Sequence, residues 1–196
     1  HADSLGIDCF SSPFDATAVD FLEELDVPAY KIASFESIDL PLIRKVAKTG
    51  KPMIISTGMA SVVEIGEALR TCREAGNEQV CILKCTSTYP ATPENTNIRT
   101  IPNMRDTFGC EVGLSDHTMG TGVSVAATAL GAVLIEKHFT LARADGGNDA
   151  KRVAQMEVTG GERFPAFDIF QGLLFPPQDG VFSLAFEPPG GAPTTA

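Results

Sequence analysis

Two of the chain's three histidines, His117 and His138, each close a short apolar run, and they stand 21 residues apart. Neutral imidazole is the commonest side-chain ligand for divalent transition metals. If the two runs are neighbouring strands, both rings reach one rim, where water and substrate can complete a coordination sphere. A pair of hydrogen-bonded structural histidines is the alternative, and spacing leaves both open. Lys31 lies inside another apolar run, "AYKIAS", with Ser34 and Glu36 directly after it. A charge within an apolar run is costly unless it is paired or placed at a site. This lysine could form a Schiff base, hold a phosphate as a point charge, or snorkel outward between helices. "ISTGMAS" and "KCTSTYP" add Ser56, Thr57, Gly58, Thr86, Ser87 and Tyr89. Hydroxyls and loop amides at such junctions can cradle oxyanions, and they also serve as ordinary helix caps. Ser115, Asp116 and His117 are consecutive and cannot form a nucleophilic triad, because successive residues of an extended segment point to opposite faces. The "GGND" that ends at Asp149 reads as a turn.

The elements that would position these groups follow a repeat. Six apolar runs, "IDCFSS", "AYKIAS", "PMIIST", "VCILKCTS", "CEVGLSDH" and "AVLIEKHF", have the composition of buried parallel strands. Helical patterns separate them. Asp15 is placed to cap a helix with Ala18, Phe21, Leu22 and Leu25 on one face. "DLPLIRKVAKTG" stops at Gly50, and Ser61 with Glu64 opens a helix that stops at Gly76. The next pattern is interrupted by Pro102, and "GTGVSVAATALG" is small and apolar. Ser12, Ser34 and Ser56 close the first three runs at intervals of 22 residues, and Ser87, Ser115 and His138 close the rest at 31, 28 and 23. One strand and one helix per interval builds a parallel sheet with a polar rim at its carboxyl ends. An open doubly wound sheet would show a glycine-rich turn after its first strand, and "FSSPFD" is not one. The pattern therefore predicts an α/β fold and favours a (β/α)8 TIM barrel with about six of its units present and the first two strands missing over a doubly wound open sheet, which six units would also fit.

Composition bounds the rest. The chain has 196 residues, 43% hydrophobic and 20% charged, enough for one sizeable core. A formal charge of −10 argues against nucleic acid and anionic membrane partners, which need a basic footprint. No apolar stretch approaches the roughly 20 residues that span a bilayer, and no leader opens the chain, so a cytoplasmic location is expected. Five cysteines without C-x-x-C spacing read as reduced thiols.

"YKIASFE", "PMIISTGMAS", "LKCTSTYPATPE", "VGLSDHTMG" and "ALGAVLIEKHFTL" together resemble the sialic acid synthase family, in order from about Cys9 to Asp149. The likeness is greatest to the pseudaminic acid synthases. Phe35 and Ser87 stand where N-acetylneuraminate synthases tend to carry Gly and Asn. The resemblance implies condensation of phosphoenolpyruvate with an open-chain N-acetylated amino sugar, giving a nonulosonic acid and phosphate. The favoured sugar is 2,4-diacetamido-2,4,6-trideoxy-altrose, with N-acetylneuraminate or legionaminate synthesis as alternatives. It implies a divalent metal, Mn2+ before Mg2+ or Co2+, held by His117 and His138. Lys31, Ser34, Ser56 and Ser115 resemble the groups that hold phosphoenolpyruvate, with Ser12 beside them. Glu36, Tyr89 and Asp149 resemble residues that face the sugar, and Lys31 and Glu36 carry the catalytic roles.

The family pattern also has two earlier strands and a later antifreeze-like domain that completes a partner's site in a homodimer. This divides the chain into a partial barrel, 1–149, an unrelated insertion, 150–179, and a motif remnant with a Pro/Gly-rich tail, 180–196. A fragment of this kind would be inactive alone, and a sugar- or phosphate-binding piece without turnover is the reading of a different class.

Overall fold

Asp15 begins the regular structure as expected. Its carboxylate accepts from Thr17 N and Ala18 N, each at 2.8 Å, and so caps helix α1, Ala16–Glu24. The computed structural model describes residues 4, 6–88, 91–140, 154–155 and 172–174. Helix α1 buries Val19 and Leu22, while Phe21 and Leu25 are 58% and 59% exposed. The face expected through Phe21 and Leu25 is thus turned outward, because α1 meets the sheet along a single Val19–Leu22 seam, where Tyr30 also donates to Val19 O at 3.3 Å. Helix α2, Leu40–Ala47, is capped by Asp39 and gives way to Gly50 at φ +74°. Helix α3, Val62–Glu74, carries the reciprocal Ser61–Glu64 capping box read from its sequence. In α4, Thr100–Phe108, Pro102 lies in the first turn, where its missing N–H costs nothing, and Gly109 ends the helix at φ +61°. Helix α5 is Gly122–Ala129.

Strands β1 (Tyr30–Ile32), β2 (Met53–Ser56), β3 (Val80–Cys85), β4 (Glu111–Asp116) and β5 (Ile135–Lys137) pair in parallel and in chain order. They form a curled half-barrel with helices outside. Beyond β5, Phe139–Thr140 (β6) pairs with Ala154–Gln155 (β7), and Gly172–Leu174 (β8) runs antiparallel to β5. The run "IDCFSS" departs from the expected six strands. It lies beside β1 through a bond from Lys31 N to Ser11 O at 3.4 Å, but it joins no ladder. Ile7 is 48% exposed, and Pro13 removes a donor at the end of the run.

Strand alternation then sorts the side chains. Tyr30, Ile32, Met53, Ile55, Val80, Ile82, Val112, Leu114 and Ile135 face the helices in the main core. Ile54, Leu83 and Leu134 point to the concave side and form a separate apolar cluster there. Gly113 makes that cluster possible: a Cβ on it would collide with Leu134 O and come within 2.7 Å of Leu83 Cδ2. The next concave positions toward the carboxyl rim belong to Lys31, Ser56, Cys85, Ser115 and Glu136, and after them to His117 and His138. The five cysteines are free thiols, with Cys72 buried in the main core and Cys9 exposed. Among the described residues no helix is long and apolar enough to cross a membrane.

Candidate active site at the carboxyl rim

Above the Ile54–Leu83–Leu134 cluster lies a buried polar layer. Lys31 Nζ donates to Glu136 Oε2, and Ser115 Oγ donates to Glu136 Oε1 at 2.6 Å. Lys31, Ser115, Glu136 and Ser56 are only 2–3% exposed. Register explains the grouping, since Cys85 stands opposite Ser115 and Ser115 opposite Glu136 on successive strands. Lys31 is therefore an ion-paired inward ammonium and not a snorkelling surface lysine. An ammonium has three donors, so the bond to Glu136 leaves capacity for a bound anion.

One position further along, the rings of His117 and His138 lie 5.2 Å apart and are tilted by 41°. His117 Nδ1 is 3.2 Å from Thr86 O. A carbonyl can only accept, so this contact puts the proton on Nδ1 and the lone pair on Nε2, the tautomer a metal-binding histidine needs. Lys84, half-buried on the helix side of β3, supports the same turn by donating to Thr86 Oγ1 at 2.7 Å and Cys85 O at 3.2 Å. Burial lowers the pKa of His117, with the neighbouring His138 adding to the effect and Glu136, the Thr86 carbonyl and Asp116 opposing it. A neutral imidazole is the form that ligates. Among the described residues no group of three or more His, Cys, Asp or Glu gathers to hold a metal. The chemistry of the donor set, two imidazoles 5.2 Å apart with room for water or substrate oxygens as further ligands, is what a divalent ion could use.

The depressed His117 pKa also fixes a sign for stability. Below its ordinary value of 6.5 the unfolded chain takes up a proton that the folded one resists, so stability falls as pH drops through that region. Urea unfolding at pH 7.5 and pH 5.5 is expected to show a lower midpoint at pH 5.5, with His117→Gln reducing the difference. An equal difference in the variant would assign the loss to other groups.

The remaining predicted residues divide by location. Ser34 Oγ accepts from Gly58 N at 3.2 Å, and a Cβ on Gly58 would come within 2.5 Å of Ser87 Oγ and 3.1 Å of both Cys85 Sγ and Ser34 Oγ. Glycine is what lets those three groups converge. Glu36 lies in the 3-10 turn Phe35–Ile38, its Oε2 buried with no hydrogen-bond partner among the described residues. Such an orphaned oxygen at a rim is a natural acceptor for substrate hydroxyls. Ser12 is half-buried in the run beside β1, one residue past the Ser11 carbonyl that β1 engages. Tyr89 and Asp149 lie outside the described residues. The site residue missed by sequence reasoning is Glu136. It stands two residues before His138 in an apolar run, so the argument that singled out Lys31 applied to it as well.

On the opposite face of the same strands, Asp116 accepts from Lys137, Ser124 and Thr118. Burial pushes its pKa up, but these hydrogen bonds outweigh it and hold the carboxyl below the usual carboxylate range.

The chain is 46% identical over 140 residues to pseudaminic acid synthase from Helicobacter pylori, covering 71% of this chain and 41% of that protein. It is 44% identical over 153 residues to N,N'-diacetyllegionaminic acid synthase from Campylobacter jejuni, covering 77% and 46% respectively. The crystal structure of N-acetylneuraminic acid synthetase from Leptospira borgpetersenii, in complex with citrate, superposes with a TM-score of 0.75 at 31% identity. That match covers 79% of this chain and 54% of the other. The chain thus spans less than half the length of these curated relatives. Residues 1–159 match the NeuB family, a stretch that takes in β1–β5 and both histidines, and the chain belongs to that family.

Proposed function

We propose that this protein is a nonulosonic acid synthase that condenses phosphoenolpyruvate with an N-acetylated amino sugar and releases phosphate. The observation that carries the reading is the buried Lys31–Glu136–Ser115 layer directly beneath the two histidines. It combines a cation for an anionic substrate with two imidazoles for a metal, at one strand edge. The first-choice sugar is 2,4-diacetamido-2,4,6-trideoxy-altrose, giving pseudaminic acid. Relatives named for pseudaminic and legionaminic acid stand at 46% and 44% identity, so the sugar has to be found by assay.

In this reaction C3 of phosphoenolpyruvate bonds to the sugar's aldehyde carbon, water captures C2, and the C2–O bond to phosphate breaks. Lys31, with the hydroxyls of Ser34, Ser56 and Ser115, binds the phosphate and carboxylate groups and Ser12 borders them, a contribution of positioning and charge neutralisation. Glu136 orients Lys31 and Ser115 and can accept a proton from the attacking water. Glu36 hydrogen-bonds sugar hydroxyls and can move a proton at the aldehyde end, with Tyr89 and Asp149 as further sugar contacts. His117 and His138 would hold the divalent metal, Mn2+ in first place, which when bound would supply Lewis-acid stabilisation of negative charge on the aldehyde oxygen. An amine ion-paired with a buried carboxylate is poorly placed as a Schiff-base nucleophile, so Lys31 acts electrostatically. The full-length protein is proposed to work as a cytoplasmic homodimer on these small molecules, without nucleic acid or membrane.

The deciding assay is phosphate release by the full-length protein with phosphoenolpyruvate and Mn2+ against a panel of amino sugars. Release that requires both substrates, fastest with the diacetamido-trideoxy-altrose, is expected. Tight substrate binding without phosphate release would instead identify a non-catalytic binding protein.

A further inference from the structure

His117 and His138 each come directly after a residue on the other face of the sheet, Asp116 on β4 and Lys137 on β5. These two residues are register partners, and they are the last pair of the β4–β5 ladder. The ladder thus ends beside the two histidines, and a side-chain cluster reinforces it there. Lys137 Nζ donates to Asp116 Oδ2 at 2.9 Å, and the Asp116 side chain is 0% exposed. Ser124 Oγ of α5 donates to the same oxygen at 2.6 Å. Thr118 N and Thr118 Oγ1 donate to Oδ1 at 2.8 and 2.7 Å, and Lys137 donates again to Thr118 O at 2.7 Å. One carboxylate thus joins both strand ends, the first residues of the following loop and the next helix.

We propose that the Asp116–Lys137 pair is a positioning brace that sets the distance and tilt of the two imidazoles on the concave side. The inference rests on reading His117 and His138 as metal ligands. Neither Asp116 nor Lys137 meets the metal or the substrate, since strand alternation aims both at the helices. They act through the backbone of the residue that follows each. Outer partners that orient ligating histidines typically govern about 10–100-fold of metal affinity. Here the partner orients the ligands through the sheet and not through the imidazole nitrogens.

The test is Mn2+ affinity of the intact protein, read from the paramagnetic resonance signal of the unbound ion, well below each variant's unfolding temperature. Lys137→Met, which keeps length and removes the ion pair, is expected to bind Mn2+ about 10–100-fold more weakly. Lys137→Arg, which keeps the charge, is expected to restore most of the affinity. A purely structural lysine would instead lower the unfolding temperature and leave the affinity of the folded protein alone. A folded Lys137→Met with wild-type affinity overturns the brace while leaving the metal site standing. If Lys137→Met does not fold, Asp116→Asn, which keeps the shape and removes the ion pair, carries the test, and unchanged Mn2+ affinity there overturns the proposal. A wild-type protein that binds no Mn2+ overturns the metal reading, and the brace with it.

Discussion

Lys31→Met is expected to lower the rate of phosphate release by about 10²–10³-fold, the usual cost of removing one preorganised electrostatic contact to a reacting group. It is also expected to destabilise the fold by about 3–5 kcal/mol, because it leaves the Glu136 carboxylate buried without its cation. Both residues are 3% exposed, so water cannot take the place of the missing ammonium. The two effects can be separated by a second change. In Lys31→Met/Glu136→Gln the uncompensated charge is gone, and Ser115 Oγ can still donate to the amide oxygen. Much of the stability is expected to return while phosphate release stays low. Urea unfolding and a phosphate-release assay on both variants decide the matter. A double variant as unstable as the single one would mean that the ion pair is not what the single change broke. Wild-type turnover by a folded Lys31→Met protein would remove Lys31 from the chemistry altogether.

The reason this pair was half legible in the sequence lies in strand periodicity. A lysine inside "AYKIAS" has to be paired or at a site, and that argument needs no knowledge of neighbours. Its partner 105 residues away needs register, which a sequence does not print. Once β4 and β5 are aligned, alternation from His138 leads back to Glu136, and Glu136 leads across to Ser115. The Asp116–Lys137 pair is hidden for the same reason: each residue looks like an ordinary strand-end charge until the ladder sets them side by side. The histidine pair was more visible, because 21 residues is the length of one strand-and-helix unit and so predicts neighbouring strand ends. Two local readings went astray on packing. The Phe21–Leu25 side of α1 is apolar but faces outward, and hydrophobicity alone cannot say which stripe a helix buries. "IDCFSS" has strand composition, but a ladder needs a bonded partner, and the bond recorded to β1 runs from Lys31 to Ser11.

His117→Ala and His138→Ala are each expected to abolish metal-stimulated turnover and to weaken Mn2+ binding by at least about 100-fold, more than the loss of an outer partner costs. Among the described residues the rings of this pair, 5.2 Å apart, are the only two imidazoles gathered at the rim. Losing either leaves one, and a single imidazole with water holds a divalent ion weakly at any ordinary concentration. The double variant is therefore expected to be no worse than either single one, the non-additivity of groups that act as a unit. His117 carries the bond to the Thr86 carbonyl, so His117→Ala frees the β3 turn that Lys84 supports and is expected to lower the unfolding temperature of the metal-free protein as well. Titration of Mn2+ followed by turnover in chelator-treated and metal-restored protein reads all of this. Equal rates with and without chelator in the wild type, or full activity in either variant, would take the metal away from these histidines and return them to a structural role.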